Sequence, residues 1–127
     1  MTTDRPDSLQ LDLMVPPAAR AGEAVRVTLR AMNRGRRPLE LHLQGREIAF
    51  DVVVRDETGA VVWQRLEGAF TQGILQLKTL GPGESFDLEA TWTPRAAGTY
   101  RIEGILPTDE PQPLRTPVAR VRVTPGG

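Results

Sequence analysis

Absences narrow this sequence before any motif does. Its 127 residues contain no cysteine, which excludes a disulfide framework, a thiolate metal site and a cysteine nucleophile. Histidine occurs once, as His42, and serine only as Ser8 and Ser85. Nucleophilic catalysis needs an activated hydroxyl beside a general base, and Ser85 reads more simply as the strand-start residue of the turn Pro82-Gly83-Glu84-Ser85. Glu40 and His42 share a strand face, but most zinc sites need three or four protein ligands, so a solvated face is the better reading. No catalytic residue, metal or cofactor is expected.

Net charge is lacking too. Sixteen basic residues balance sixteen acidic ones, leaving no overall field to draw the chain to nucleic acid or to an anionic membrane. The cluster Arg34, Arg36 and Arg37 has no interleaved aromatics and reads as a solvated turn. No window approaches the roughly 20 apolar residues that span a bilayer. Residues 1–7 carry acid and proline where a secretory signal needs a basic segment and an apolar run, so a cytoplasmic location is expected. A 3.6-residue apolar period is missing throughout, which argues against helices.

What is present is two-residue alternation. Leu9, Leu11 and Leu13 form one half-buried pattern, ended by Pro16-Pro17. Val25, Val27, Leu29 and Ala31 form a second, closed at Asn33-Arg34-Gly35, and Leu39, Leu41 and Leu43 a third. Residues 48–54 and 61–63 flank the polar stretch Asp56-Glu57-Thr58-Gly59 and read as a β-hairpin with Gly59 at positive φ. Ile48, Phe50, Val52 and Val54 make its core face, and Ala49, Asp51, Val53 and Arg55 a mixed one. Leu75, Leu77 and Thr79 resume the alternation. Phe86, Leu88, Ala90 and Trp92 follow the dense turn Gly81–Ser85, then Tyr100, Ile102, Gly104 and Leu106, and finally Val118 to Val123.

About eight or nine short strands at intervals near ten residues predict an all-β fold, an antiparallel immunoglobulin-like β-sandwich, with a small closed barrel as the alternative. One domain over residues 8–124 is expected, with a disordered lead-in at 1–7 and a flexible tail at 125–127. Gly98-Thr99-Tyr100 fits a tyrosine corner. Trp63, Phe70, Trp92 and Tyr100 are the expected framework aromatics. Asp51 either accepts hydrogen bonds from a neighbouring loop, Thr71 among the candidates, or is an exposed residue on an edge strand.

A set of residues in order and spacing resembles the BsuPI-type intracellular proteinase inhibitor family. It comprises Phe50-Asp51-Val52, Asp56, Gly59, Val62-Trp63, Phe70-Thr71-Gln72, Leu80 to Ser85, Trp92, and Gly98-Thr99-Tyr100 with Gly104. The resemblance covers roughly residues 20–124. It departs where the family often has serine shortly after the tryptophan and this chain has Leu66. The resemblance implies an immunoglobulin-like, non-enzymatic binding domain whose partner is a protein, with a subtilisin-type serine proteinase as the target and the active site occluded. A scaffold module without effect on proteolysis is the alternative, since such folds carry many binding functions. A monomer is expected.

Two segments are candidates for partner binding. One follows Trp63 and contains Arg65, Leu66 and Glu67. The other is residues 107–117, whose four prolines favour an extended, semi-rigid course, with Leu114 or Arg115 as the anchor side chain. The competing reading of the second segment is a plain connection kept extended before the last strand.

Overall fold

Eleven strands, in the chain order β1 (Leu9–Met14), β2 (Ala18–Arg20), β3 (Val25–Asn33), β4 (Leu39–Gln44), β5 (Asp51–Arg55), β6 (Val61–Gln64), β7 (Leu75–Leu80), β8 (Ser85–Trp92), β9 (Gly98–Leu106), β10 (Leu114–Arg115) and β11 (Ala119–Thr124), carry the regular structure. The structure is a computed structural model and describes residues 9–44, 50–65, 75–107 and 114–126, among which there is no helix. The expected lead-in at 1–7 lies outside the described residues.

Alternation explains which strands form and which way they face. In β3, Val25, Val27, Leu29 and Ala31 are all buried, while Arg26, Thr28 and Arg30 point outward. Antiparallel partners β1 and β8 flank it in a three-stranded sheet ordered β1-β3-β8. A second sheet runs β2-β11-β9-β5-β6, with β10 paired to β9. Its one parallel ladder joins β2 to β11. The two sheets face each other: a Cβ placed on Gly104 in β9 would lie 2.8 Å from Leu29 Cδ1 in β3 and 3.2 Å from Leu13 Cδ1 in β1. Their inward residues form one core, including Leu29, Val52, Val54, Trp92, Ile102 and Val121.

The third sheet is β4 paired antiparallel with β7, and it packs against the sandwich core. Leu43 joins the core, Leu80 is buried, and the Lys78 ammonium stands 5.0 Å from the centre of the Phe86 ring. Asn33 ties this sheet to the sandwich. Its side-chain nitrogen donates to the carbonyls of Arg37 at 2.7 Å and Leu80 at 2.9 Å, and its side-chain oxygen accepts from Gly35 N at 2.9 Å. The residue is fully buried and each of its side-chain polar atoms is bonded, the condition under which a buried amide is tolerated. From the sequence Asn33 was only a turn signal.

This is an antiparallel immunoglobulin-like β-sandwich, with the tyrosine corner in place: Tyr100 Oη donates to Ala96 O at 2.7 Å, and the ring meets Trp92 edge-on at 5.0 Å. Four details differ from the sequence reading. The described strands number eleven, because β2 and β10, three and two residues long, are too short to show a period. In β7 the outward residue is Leu77, 59% exposed, while Lys78 and Leu80 turn inward. The last strand begins at Ala119, leaving Val118 exposed. Finally, the mixed face of β5 is covered along Asp51 and Val53, which are as buried as Val52 and Val54, and only Arg55 at its end is half-exposed. The strand is interior, between β9 and β6, so Asp51 is not an edge residue.

Candidate functional site

The register of the six-stranded sheet brings the stems of both candidate segments to one end. Asp51, the first residue of β5, lies opposite Ile105 near the end of β9. On the other side of β5, Gln64 ends β6 opposite Val53, and Arg65 N donates to Val52 O at 3.0 Å. Beyond β9, Leu114 pairs with Leu106 and Arg115 with Ile105. Residue 65, where one segment departs, and residues 107, 114 and 115 of the other therefore sit along a single sheet end. Residues 66–74 and 108–113, and with them Leu66, Glu67, Phe70 and Thr71, lie outside the described residues.

Asp51 is the buried acid at this end, 1% exposed. Its Oδ2 accepts from Gln64 Nε2 at 2.5 Å and its Oδ1 from Val52 N at 2.9 Å. A buried carboxylate is tolerable only when hydrogen-bonded, and here it fastens the end of β6 to the start of β5. The proposed bond to Thr71 falls outside the described residues. Arg65 reinforces the same corner: Nη1 donates to Phe50 O at 2.7 Å, and the guanidinium lies 3.9 Å from the centre of the Phe50 ring. Such stacking is available to arginine through its planar, weakly hydrated head.

The second stem is pinned differently. Thr116 is buried; its N donates to Gly104 O and its Oγ1 accepts from Gly104 N, both at 2.9 Å. Leu114 packs half-buried against the core, whereas Arg115 is exposed and its Nη1 lies 3.2 Å from Glu103 Oε1. The sequence reading missed Thr116 and the Gly104 pairing, because a lone Thr-Pro after a proline-rich stretch gives no periodic signal.

Trp63 is half-buried against the core, and Trp92 and Tyr100 are buried within it. Together with Val62, Thr91 and Arg95 they line an open recess of ≈ 690 Å³ between the edges of β6 and β8. Among the described residues no group of three or more His, Cys, Asp or Glu is placed to hold a metal ion. His42 and Ser85 are exposed on different sheets. Arg34 donates to Gln10 Oε1 at 3.0 Å and Arg37 offers its carbonyl to Asn33, so part of this basic turn serves the framework.

Known structures share the architecture. The CARDB domain of the PF1109 protein from Pyrococcus furiosus superposes with a TM-score of 0.51 at 17% identity, over 93% of this chain and 94% of that one. Spo0M, a sporulation control protein from Bacillus subtilis, gives a TM-score of 0.59 at 13% identity over 92% of this chain, which spans only 49% of the Spo0M chain. The alkylpurine DNA glycosylase AlkC of Pseudomonas fluorescens gives 0.51 at 14% identity, covering 92% of this chain and 30% of its own. At such identities the likeness concerns the fold alone. No curated protein matches at the level of sequence. The family profile described as BsuPI, intracellular proteinase inhibitor, matches residues 13–111. That span takes in the Asp51 corner, the β5–β6 hairpin and the tyrosine corner, and on it the chain belongs to the BsuPI family of intracellular proteinase inhibitors.

Proposed function

We propose that this protein inhibits a subtilisin-type serine proteinase in the cytoplasm, acting as a monomer that occludes the enzyme's active site and performs no chemistry of its own. The observation that carries the reading is the convergence of the two segment stems on the Asp51 end of the six-stranded sheet. An inhibitory loop must enter a cleft without relaxing, and rigidity at its ends lowers the entropy lost on binding. Both stems meet that need: one is held by Asp51 and Arg65, the other by the Thr116–Gly104 pair and the Leu106–Leu114 register. In this arrangement Leu66 and Glu67, next after the Arg65 stem, contact the enzyme, and Arg115 flanks them. Leu114, turned toward the core, anchors its stem.

Titrating the purified protein into a subtilisin-type proteinase tests the reading. Residual activity should fall as the molar ratio rises, and replacement of residues 66–69 or 108–113 by Gly/Ser segments, with Phe70 and Thr71 kept, should relieve the inhibition while leaving the thermal midpoint of the sandwich in place. Full proteinase activity at a molar excess of wild-type protein refutes it for that enzyme.

A second reading has one specific observation in its favour. On β6, which has no strand on its outer side among the described residues, Val61 and Val62 are 50% and 47% exposed beside the open recess. Such an edge accepts an added strand from a partner, as an interaction module would. A stable partner whose binding survives both loop replacements but not Val62→Pro would favour it.

A further inference from the structure

The outward faces of the two large sheets are charged in opposite styles, although the chain as a whole is neutral. Across the three-stranded sheet, Arg30 stands in register between Asp12 and Asp87. Its Nε and Nη2 meet the two Asp87 oxygens at 2.8 and 3.0 Å. That row is acid, base, acid: Arg30 is paired with Asp87, and Asp12 leaves the row with a small excess of negative charge.

Across the six-stranded sheet the corresponding row is three bases. Arg101 on β9 is directly opposite Arg55 on β5 and directly opposite Arg120 on β11. Side chains opposite each other on neighbouring strands have Cβ atoms only about 5 Å apart, and like charges so placed repel. Arg122 follows Arg120 on the same face, and the parallel ladder sets Arg20 beside Thr124 at its border. Of these five, Arg101, Arg120, Arg122 and Arg20 are exposed and make no ion pair among the described residues.

The acids near this row do not offset it. Glu103 lies between Arg55, at 4.0 Å, and Arg115, at 3.2 Å, and is already shared by those two. Asp51 is buried at the far end of β5. The Asp56 carboxylate keeps its charge but is turned into the β5–β6 turn, accepting from Thr58 N, Thr58 Oγ1 and Ala60 N. Glu57 is in the same turn, outside the sheet, and Glu23, whose Oε1 lies 3.3 Å from Arg20 N, is at the border by Arg20 and not beside Arg101 or Arg120. The field of the arginines is therefore local, felt within a Debye length of roughly 10 Å at 0.1 M salt, and a net-charge count conceals it.

We infer that the outward face of the six-stranded sheet, centred on Arg55, Arg101 and Arg120, is a docking surface for an acidic polypeptide segment. Guanidinium groups take carboxylates bidentately. Arg120 and Arg122, two residues apart on one strand, are spaced by about 6.7 Å, the interval between alternate side chains of an extended peptide. A nucleic acid fits less well, because Glu103 sits beside the row and none of Trp63, Trp92 or Tyr100 stands on this face for bases to stack on. This inference is independent of the inhibitor reading.

The test uses the full chain and a fluorescein-labelled peptide of alternating Glu and Ser, read by anisotropy. Binding is expected at ~10 mM ionic strength and should weaken strongly at ~150 mM, where screening is tighter. The double variant Arg101→Gln, Arg120→Gln should bind about 2- to 25-fold more weakly, the range for the loss of two exposed ion pairs. Arg30→Gln, on the other sheet, should bind as wild type does. The thermal midpoint of Arg101→Gln should equal or exceed that of wild type, since a repulsion is removed. Absence of binding at low salt, an equal loss in Arg30→Gln, or a lowered midpoint in Arg101→Gln overturns the inference. So does tighter binding to a DNA duplex, or to vesicles rich in anionic lipid, than to the peptide.

Discussion

Gly104→Ala tests the way the two sheets are packed. Gly104 lies in β9 with ordinary strand backbone, so the issue is space and not conformation. An added Cβ would stand 2.8 Å from Leu29 Cδ1, 3.1 Å from Thr116 Cγ2 and 3.2 Å from Leu13 Cδ1. Distances near 3 Å are well inside carbon–carbon contact, and Leu29 and Thr116 are buried at 0% and 4% exposure, so neither end can swing into solvent. Overpacking of this kind costs about 1–3 kcal/mol. Replacing glycine by alanine also stiffens the unfolded chain, which returns about 0.4–1 kcal/mol. With each term near the middle of its range, the net expectation is a loss of about 1–2 kcal/mol. With an unfolding entropy of about 0.27 kcal/mol/K for 127 residues, the thermal midpoint should fall by about 4–7 °C in calorimetry, with the urea m-value unchanged. Leu29→Val shortens the most crowded neighbour, so the double variant should lose less than the sum of the two single losses. A Gly104→Ala midpoint within about 1 °C of wild type, or strict additivity with Leu29→Val, would show that the sheets are not in contact there.

Other expectations are simpler to state. Asn33→Leu leaves the Leu80 and Arg37 carbonyls and the Gly35 amide without their partner, and at about 1–3 kcal/mol for a buried unsatisfied group it should cost more than about 2 kcal/mol in urea unfolding. Tyr100→Phe removes the bond to Ala96 O and should cost about 1 kcal/mol, whereas Trp92→Ala, deep in the core, should cost about 3–5 kcal/mol. Acid titration should show two surface contributions. The Arg30 guanidinium holds the Asp87 carboxyl below its usual value, and the Thr58 hydroxyl does the same for Asp56. Both folded-state values are depressed, so their stabilisation is present above the unfolded value near 4 and is lost as pH falls below it. The double variant Asp56→Asn, Asp87→Asn should therefore lose less in thermal midpoint than wild type between pH ~6 and pH ~3.

Legibility in the sequence followed solvent exposure. Where a strand has one wet face, as in β3 and β8, the two-residue period names the buried residues correctly, and the sandwich follows from those strands. Where both faces are covered, as along Asp51 to Val54 of β5, alternation loses its meaning, and Asp51 and Val53 cannot be told from surface residues. Where the partner strand decides, the period can mislead: the β4 register sets Leu41 against Lys78 and His42 against Leu77, so Leu77 faces out despite its hydrophobicity. The glycine and aromatic positions that carry the family resemblance were readable because each has a geometric duty, Gly104 to admit Leu29 and Tyr100 to bond Ala96. The arginine row was not readable, because it exists only in the cross-strand register and its members are widely separated in the chain.

The two surfaces proposed on this sandwich are separate but lie on the same sheet. β5 runs from the loop-stem end at Asp51 to the arginine row at Arg55, four residues or about 13 Å along the strand. Glu103 lies between them, holding Arg115 from the stem end and Arg55 from the row. If a partner seated on the loop end also lays an acidic segment along the outward face, the contributions should couple. Loop replacement and the Arg101→Gln, Arg120→Gln pair would then give a combined loss of proteinase affinity different from the product of their separate losses. If the acidic partner is a different molecule, loop replacement leaves peptide binding untouched, the arginine variants leave inhibition untouched, and the sheet serves two partners through two of its regions.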